Sequence, residues 1–184
     1  MSAPLLQTER LKLIQVTPND AAAVAAYRFR NRAHLAPWEP KRDDGFYTAK
    51  RTAESLAKSY EAFLAGTGYS FAILLRESGD LVGLCSFSNI VRGVFQACHL
   101  GYSIDAAHEG KGLMFEALSA AIAWMFNDVG LHRIMANHLP HNARSESVLR
   151  RLGFEREGYA RSYLLIDGVW QDHVLNSLIN PAQP

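Results

Sequence analysis

Glu109-Gly110-Lys111-Gly112-Leu113-Met114 runs without a break into an apolar-periodic segment, Phe115 to Phe126. Within it Leu118, Ala121, Ile122 and Met125 recur at the three- and four-residue spacing of one buried helical face. Two glycines and a lysine therefore meet the first turn of a helix. There, four backbone N–H groups lack intrahelical partners and the positive end of the macrodipole lies. Glycines let the main chain curl closely around an anion, so the chemistry this segment supports is the holding of a phosphate or pyrophosphate. A Walker loop needs four residues between its glycines and then Gly-Lys-Ser/Thr, whereas here one residue separates them and Leu113 follows Gly112. A dinucleotide fingerprint would need a third glycine where Phe115 stands. A glycine-rich turn that merely starts a helix is the bland alternative.

A second set of candidates could handle protons. Asn142 and Ser145 stand at the start of a short helix, where Asn is a favoured cap and Ser makes local hydrogen bonds. Glu39, His99, His138 and His141 are candidate bases, and none has a spacing that selects it. Trp38-Glu39 offers an indole face and a carboxylate for an ammonium group, or else a tryptophan that anchors the first helix.

The elements that would position these groups follow from pattern. Arg10 to Val16 alternates as a strand; Thr17-Pro18-Asn19-Asp20 starts an alanine-rich helix that runs to about Arg30. Leu35 to Tyr47, with Pro37 and Pro40, is predicted to be loop. A helix from about Thr48 to Ala65 turns Leu56, Tyr60, Phe63 and Leu64 to one side. Tyr69 to Arg76 and Leu81 to Ile90 are strands around a tight turn, and Val91-Arg92-Gly93 turns into the strand through His99 that ends at Ile104. Arg133 to Asn137 is the next strand, and Asp167-Gly168 marks a terminal hairpin. The expected fold is α+β: a mixed, mostly antiparallel sheet of six or seven strands flanked by about four helices. Parallel pairing is expected where the helix from 112 to 127 crosses over.

The order of strand, anion loop, helix, strand, Asn-x-x-Ser, helix and Leu152-Gly153-Phe154 resembles the second half of the GNAT superfamily of N-acetyltransferases. Its loop signature, Gln/Arg-x-x-Gly-x-Gly/Ala, lies on residues 109 to 114, with Glu109 and Met114 as departures. Phe87-Ser88-Asn89-Ile90-Val91-Arg92-Gly93, Gly110 to Leu118, and Tyr163 to Gly168 are similar to the RimJ branch of its RimJ/RimL group, in which Met114 is ordinary. The resemblance spans about Thr8 to Leu178. It implies acetyl-CoA as co-substrate and the N-terminal alanine of a small-subunit ribosomal protein as acceptor. By the same resemblance, the backbone of Tyr102, Ser103 and Ile104 pairs with the pantetheine arm. The N–H groups of Glu109, Gly110, Lys111, Gly112, Leu113 and Met114 hold the pyrophosphate, Asn142 binds the arm, and Ser145 gives a proton to the leaving thiolate. Trp38 and Glu39 would receive the amine, with Glu39 a candidate catalytic group.

Glu109 is awkward there, because a carboxylate about 5 Å from a phosphate charge costs roughly 3 kcal/mol at an effective dielectric near 20. The expectation is that its side chain faces solvent and only its backbone serves. The base requirement is mild for an α-amine: near pKa 7.8 it is roughly one-third neutral at pH 7.5, against about 0.1% for lysine. Two alternatives stay open: an acetyltransferase of a small-molecule amine, and a non-catalytic acyl-CoA-binding module, which the Glu109 departure favours.

Composition bounds the rest. With 184 residues, 48% of them hydrophobic, the chain is expected to form a single domain over residues 1–184. A net charge of +1 and no block of like charge give no field for direct nucleic-acid binding. No signal-like leader or membrane-length apolar run is read in the sequence, so a cytoplasmic location without membrane partners is expected, as monomer or homodimer. Cys85 and Cys98 lack companions at metal spacing and read as reduced core thiols, and no metal is expected.

Overall fold

The computed structural model describes residues 4–183. The leader-free reading of the amino terminus rests partly on Met1 to Ala3, outside the described residues. Strands β1 (Leu5–Gln7) and β2 (Leu11–Gln15) precede helices α1 (Ala21–Arg30), α2 (Arg32–Leu35) and α3 (Ala49–Leu64). Then come β3 (Tyr69–Leu75), β4 (Leu81–Val91), β5 (Ala97–Ile104), α4 (Leu113–Asn127), β6 (Arg133–His138), α5 (Ala143–Arg151), β7 (Glu155–Ile166) and β8 (Val169–Ile179). One sheet holds eight strands in the order β1-β2-β3-β4-β5-β6-β8-β7. Every neighbouring pair is antiparallel except β5 with β6, joined by the α4 crossover as expected.

The sheet has one strand more than the six or seven expected. The extra one is β1, whose three residues are too few to show an alternation. The proline-rich stretch after α2 is irregular as expected, broken by short 3-10 turns at Ala36–Trp38 and Asp44–Tyr47. Thr48 caps α3 by accepting from the Arg51 N–H. Leu56 and Phe63 are buried, but Leu64 is 66% exposed, correcting its place on the buried side. It follows Phe63 by one residue, about 100° around the helix.

α4 packs its apolar face on one side of the sheet: Leu118 and Met125 are fully buried in a core with Leu13, Phe71, Phe87, Cys98 and Ile134. The other side is covered by α1 and α3, where Val24, Tyr27 and Leu56 meet Val16, Ala72 and Leu81. Both free thiols are buried in the first of these cores.

The sheet splits in the middle. β5 and β6 are paired only at Ala97–Arg133, Cys98–Ile134 and His99–Met135. β5 then follows β4 as far as the Gly83–Ile104 pair, while β6 follows β8 to the His138–Val174 pair. From Leu100 onward, the β5 edge facing β6 therefore has no strand partner, and a wedge opens between them. At the far end of β5, a Cβ on Gly83 would lie 2.9 Å from Ser103 O, so this close approach needs glycine. The β7–β8 turn has positive φ at both Asp167 (45°) and Gly168 (79°), as Asp-Gly demands. The Asp167 N–H donates to Glu39 O at 2.9 Å, docking the hairpin tip on the loop after α2.

Candidate active site

The anion loop is anchored by Asp105, directly after β5. Its carboxylate accepts from Arg30 Nε (2.6 Å), Asn31 Nδ2 (3.0 Å) and the Ala107 N–H (3.0 Å). Burial alone would raise its pKa, but those three donors outweigh burial and hold it down at about 2. The end of β5 is thus tied to the end of α1 by a permanent anion. The chain then bends through Gly110 (φ 71°) and Gly112 (φ 75°), the residue that precedes α4. Gly112 O accepts from the Glu116 N–H at 3.1 Å, whereas the N–H groups from Glu109 to Phe115 meet no acceptor within the described chain. Such a row of unpaired donors at the positive end of a helix is built for an anion. From outside, Arg10 donates to Lys111 O at 3.0 Å and to Glu116 Oε2 at 2.7 Å, bracing the bend. The Lys111 side chain is exposed and does not line the cleft.

Glu109 departs from expectation. Its side chain is not turned to solvent: it is 23% exposed and pairs with Arg144 Nη1 at 3.2 Å and His34 Nε2 at 3.5 Å. The carboxylate is drawn back against α5 and α2 because cations wait there. That pairing offsets the repulsion a bound diphosphate would feel, and with it goes the one feature favouring a non-catalytic binding module.

The wedge opens into a cleft of about 1450 Å³, lined by Glu109, Gly110, Gly112, Leu113 and Met114 of the loop and helix start, and by Tyr102, Ser103 and Ile104 of β5. Asn142 and Ser145 of α5, with Trp38 and Glu39 of the loop after α2, line the same space. Asn142 Oδ1 accepts from the Ser145 N–H at 3.1 Å, so it caps α5 as its type predicts. Ser145 Oγ lies 2.7 Å from the Tyr102 hydroxyl. Burial pushes the Tyr102 phenol up to about 12, against the lowering effect of that hydrogen bond. Beyond the backbone role expected of it, Tyr102 brings its side chain into a hydroxyl pair with Ser145 at the split. No local signal marks this, because the partners are 43 residues apart.

Across the cleft, Trp38 lies against His141, with ring centroids 5.5 Å apart. Burial raises the Glu39 carboxyl, and the Arg42 and Arg28 guanidinium groups oppose that rise. The Arg28 and Arg42 guanidinium carbons lie 4.6 and 4.3 Å from the Phe46 ring centroid. His138, His141 and His173 also line the cleft, while His99 does not. No group of three His, Cys, Asp or Glu side chains able to hold a metal ion occurs among the described residues. Nor is any described helix long and apolar enough to cross a membrane.

A mixed sheet parted between two parallel strands, with a bare helix start at the opening, has the architecture of an acyl-CoA-dependent acetyltransferase. The chain belongs to the acetyltransferase (GNAT) domain family, which matches residues 10–155. It is 48% identical to the [ribosomal protein uS5]-alanine N-acetyltransferase of Escherichia coli, over 96% of this chain and 91% of that one. Among solved structures, the ribosomal-protein-S5-alanine acetyltransferase from Vibrio fischeri superposes with a TM-score of 0.93 at 40% identity, covering 98% of this chain and 99% of that one. Mycobacterium smegmatis RimJ in complex with CoA-disulfide superposes with a TM-score of 0.90 at 29% identity, covering 99% and 88%. The chain is an N-acetyltransferase that uses acetyl-CoA as its acetyl donor.

Proposed function

We propose that this enzyme acetylates the N-terminal α-amine of a ribosomal protein, with alanine at the first position. The observation that carries the reading is the Tyr102–Ser145 hydroxyl pair at the split, which faces the Trp38–Glu39 loop across one continuous cleft. The similarity to uS5-alanine acetyltransferases supports this choice of acceptor.

The chain's residues divide the work. When bound, acetyl-CoA supplies an acetyl group activated as a thioester. The free N–H groups from Glu109 to Met114 hold the diphosphate, and the unpaired β5 edge at Tyr102, Ser103 and Ile104 aligns the pantetheine arm. Asn142 keeps its cap while its amide nitrogen stays available to the arm. The Ser145 hydroxyl gives up the proton the leaving thiolate needs, and Tyr102 re-supplies it through their shared hydrogen bond. Glu39, in the electrostatic field of Arg42 and Arg28, supplies the counter-charge for the incoming ammonium, and the Trp38 indole forms the floor.

The test is intact-mass analysis after incubation with acetyl-CoA and either an N-terminal alanine peptide or an N-blocked peptide carrying lysine. Acetylation confined to the free α-amine is the expected result. Turnover of small amines alone would replace a protein acceptor with a metabolite.

A further inference from the structure

We propose that His173 is the base that takes the proton from the acceptor amine; the proposal rests on the acetyl-transfer reading above and fills the role it leaves vacant. His173 lies on β8 with its side chain buried against the cleft. Its Nδ1 is 3.1 Å from Gln171 O, and because a carbonyl only accepts, Nδ1 carries the hydrogen. The lone pair of the neutral ring is therefore on Nε2. That atom has no protein partner and is not sealed from the cleft.

Strand register places it on the acceptor's side. Side chains alternate along a strand, so His173 shares a face with Leu175 and with Asn137, the partner of Leu175. Tracing the register through the Ala97–Arg133 pair puts this face with Ser103, whose hydroxyl meets Tyr27 of α1 at 2.9 Å. The Trp38–Glu39 loop extends from that layer. Ser145 and Tyr102 reach the split from the opposite face, where α4 and α5 pack. Acyl transfer needs one group that accepts a proton and another that gives one, and the split separates them by face.

The rival bases fit less well. Glu39 feels the charges of Arg42 and Arg28 and serves as a counter-charge, His141 lies tilted against Trp38, and His99 lies outside the cleft. Like His173, His138 bonds a carbonyl through Nδ1 (2.9 Å), but it points to the α5 face. The titratable and charged groups around His173 are Asp172 beside it, Tyr163 of β7 with its ring 5.5 Å away, and His138 of β6. Glu39, Arg28 and Arg42 lie across the cleft. Burial pulls the ring below its ordinary value, the Gln171 bond raises it, His138 lowers it and Asp172 raises it, leaving it net lowered. It is thus a free base at neutral pH.

In the step, the incoming ammonium first releases one proton to solvent; the neutral amine nitrogen then forms a bond to the acetyl carbon and its surplus proton passes to His173 Nε2. The carbon–sulfur bond breaks, and the sulfur takes a proton from the Ser145–Tyr102 pair. Solvent then returns the proton from His173 to that pair.

The experiment compares wild-type, His173→Gln and His173→Asn enzymes on an N-terminal alanine peptide from about pH 5 to 9. CoA affinity is measured by calorimetry, and His173 is titrated by NMR in the intact wild-type protein. The expected result is a loss of kcat/KM of about 10²-fold in both variants, with CoA affinity unchanged. The acid limb of the wild-type profile should match the NMR titration and vanish in the variants. Variants that keep rate and profile, or an NMR pKa more than a unit from the limb, would overturn the proposal while leaving acetyl transfer intact. The NMR comparison stands even where a variant fails to fold. A wild-type enzyme inactive on every α-amine peptide would overturn the acceptor reading and this proposal with it.

Discussion

Glu109 Oε2 lies 3.2 Å from Arg144 Nη1, so the acid that begins the anion loop is neutralised by the first turn of α5. Arg144 is largely exposed, and a pair of this kind contributes at most about 1 kcal/mol to folding. Its effect on a bound diphosphate is larger, because an unpaired carboxylate about 5 Å away would oppose binding by roughly 3 kcal/mol. Arg144→Ala is therefore expected to leave the melting temperature nearly unchanged and weaken CoA binding by at least tenfold. Adding Glu109→Gln should restore most of that affinity. Calorimetric titration of the two single variants and the double checks this, and additive effects would remove the coupling.

The hydroxyl pair makes a separate prediction. Ser145→Ala and Tyr102→Phe each break the 2.7 Å bond at the split, yet the α5 cap depends on the Ser145 backbone N–H and survives both. kcat should fall by about 10² in each variant, CoA affinity should hold, and the double variant should be little worse than either single. A Ser145→Ala enzyme with wild-type kcat would reduce that residue to a helix-start serine.

What could be read before the structure was what local backbone chemistry dictates. Gly110 and Gly112 beside an apolar period announce a bend and a helix start, and Asp167-Gly168 announces a hairpin, because positive φ is a property of single residues. The split between β5 and β6 has no local signature: it depends on two strands separated by a whole helix keeping only three pairs. Glu109 turns inward rather than to solvent for the same reason, since Arg144 and His34 reach it from other elements. The face His173 occupies is set by the register of β6 against β8, which no local pattern carries.

Asp105 gives the stability of the site a pH dependence. Its ordinary value is 3.8 and its folded value about 2, so the folded state favours the charged form. For a lowered pKa, the stabilisation is complete above the unfolded value and lost as pH falls through the folded one. The window is therefore about pH 4 down to 2, and the contribution ~1–2 kcal/mol after allowing for solvent around half-exposed Arg30. Asp105→Asn should lower the denaturant midpoint at pH 7 and converge on wild type near pH 2. Parallel unfolding curves across the whole range would contradict this.

Gly112 separates the conformation of the loop from the space it leaves. Its φ of 75° disfavours any side chain, but a Cβ there would meet nothing closer than Arg10 Nη2 at 3.6 Å. Gly112→Ala should then fold with a loss of about 1–2 kcal/mol from the left-handed backbone alone. Its CoA affinity should fall only modestly, since one methyl leaves the donors from Glu109 to Met114 exposed. Gly112→Trp carries the same backbone cost, and its ring, starting beside Arg10, is large enough to crowd the helix start, so it should fold comparably and bind CoA far more weakly than the alanine variant. Thermal melts with calorimetric titration distinguish the two costs. A tryptophan variant that binds like wild type would mean the diphosphate does not rest on this helix start.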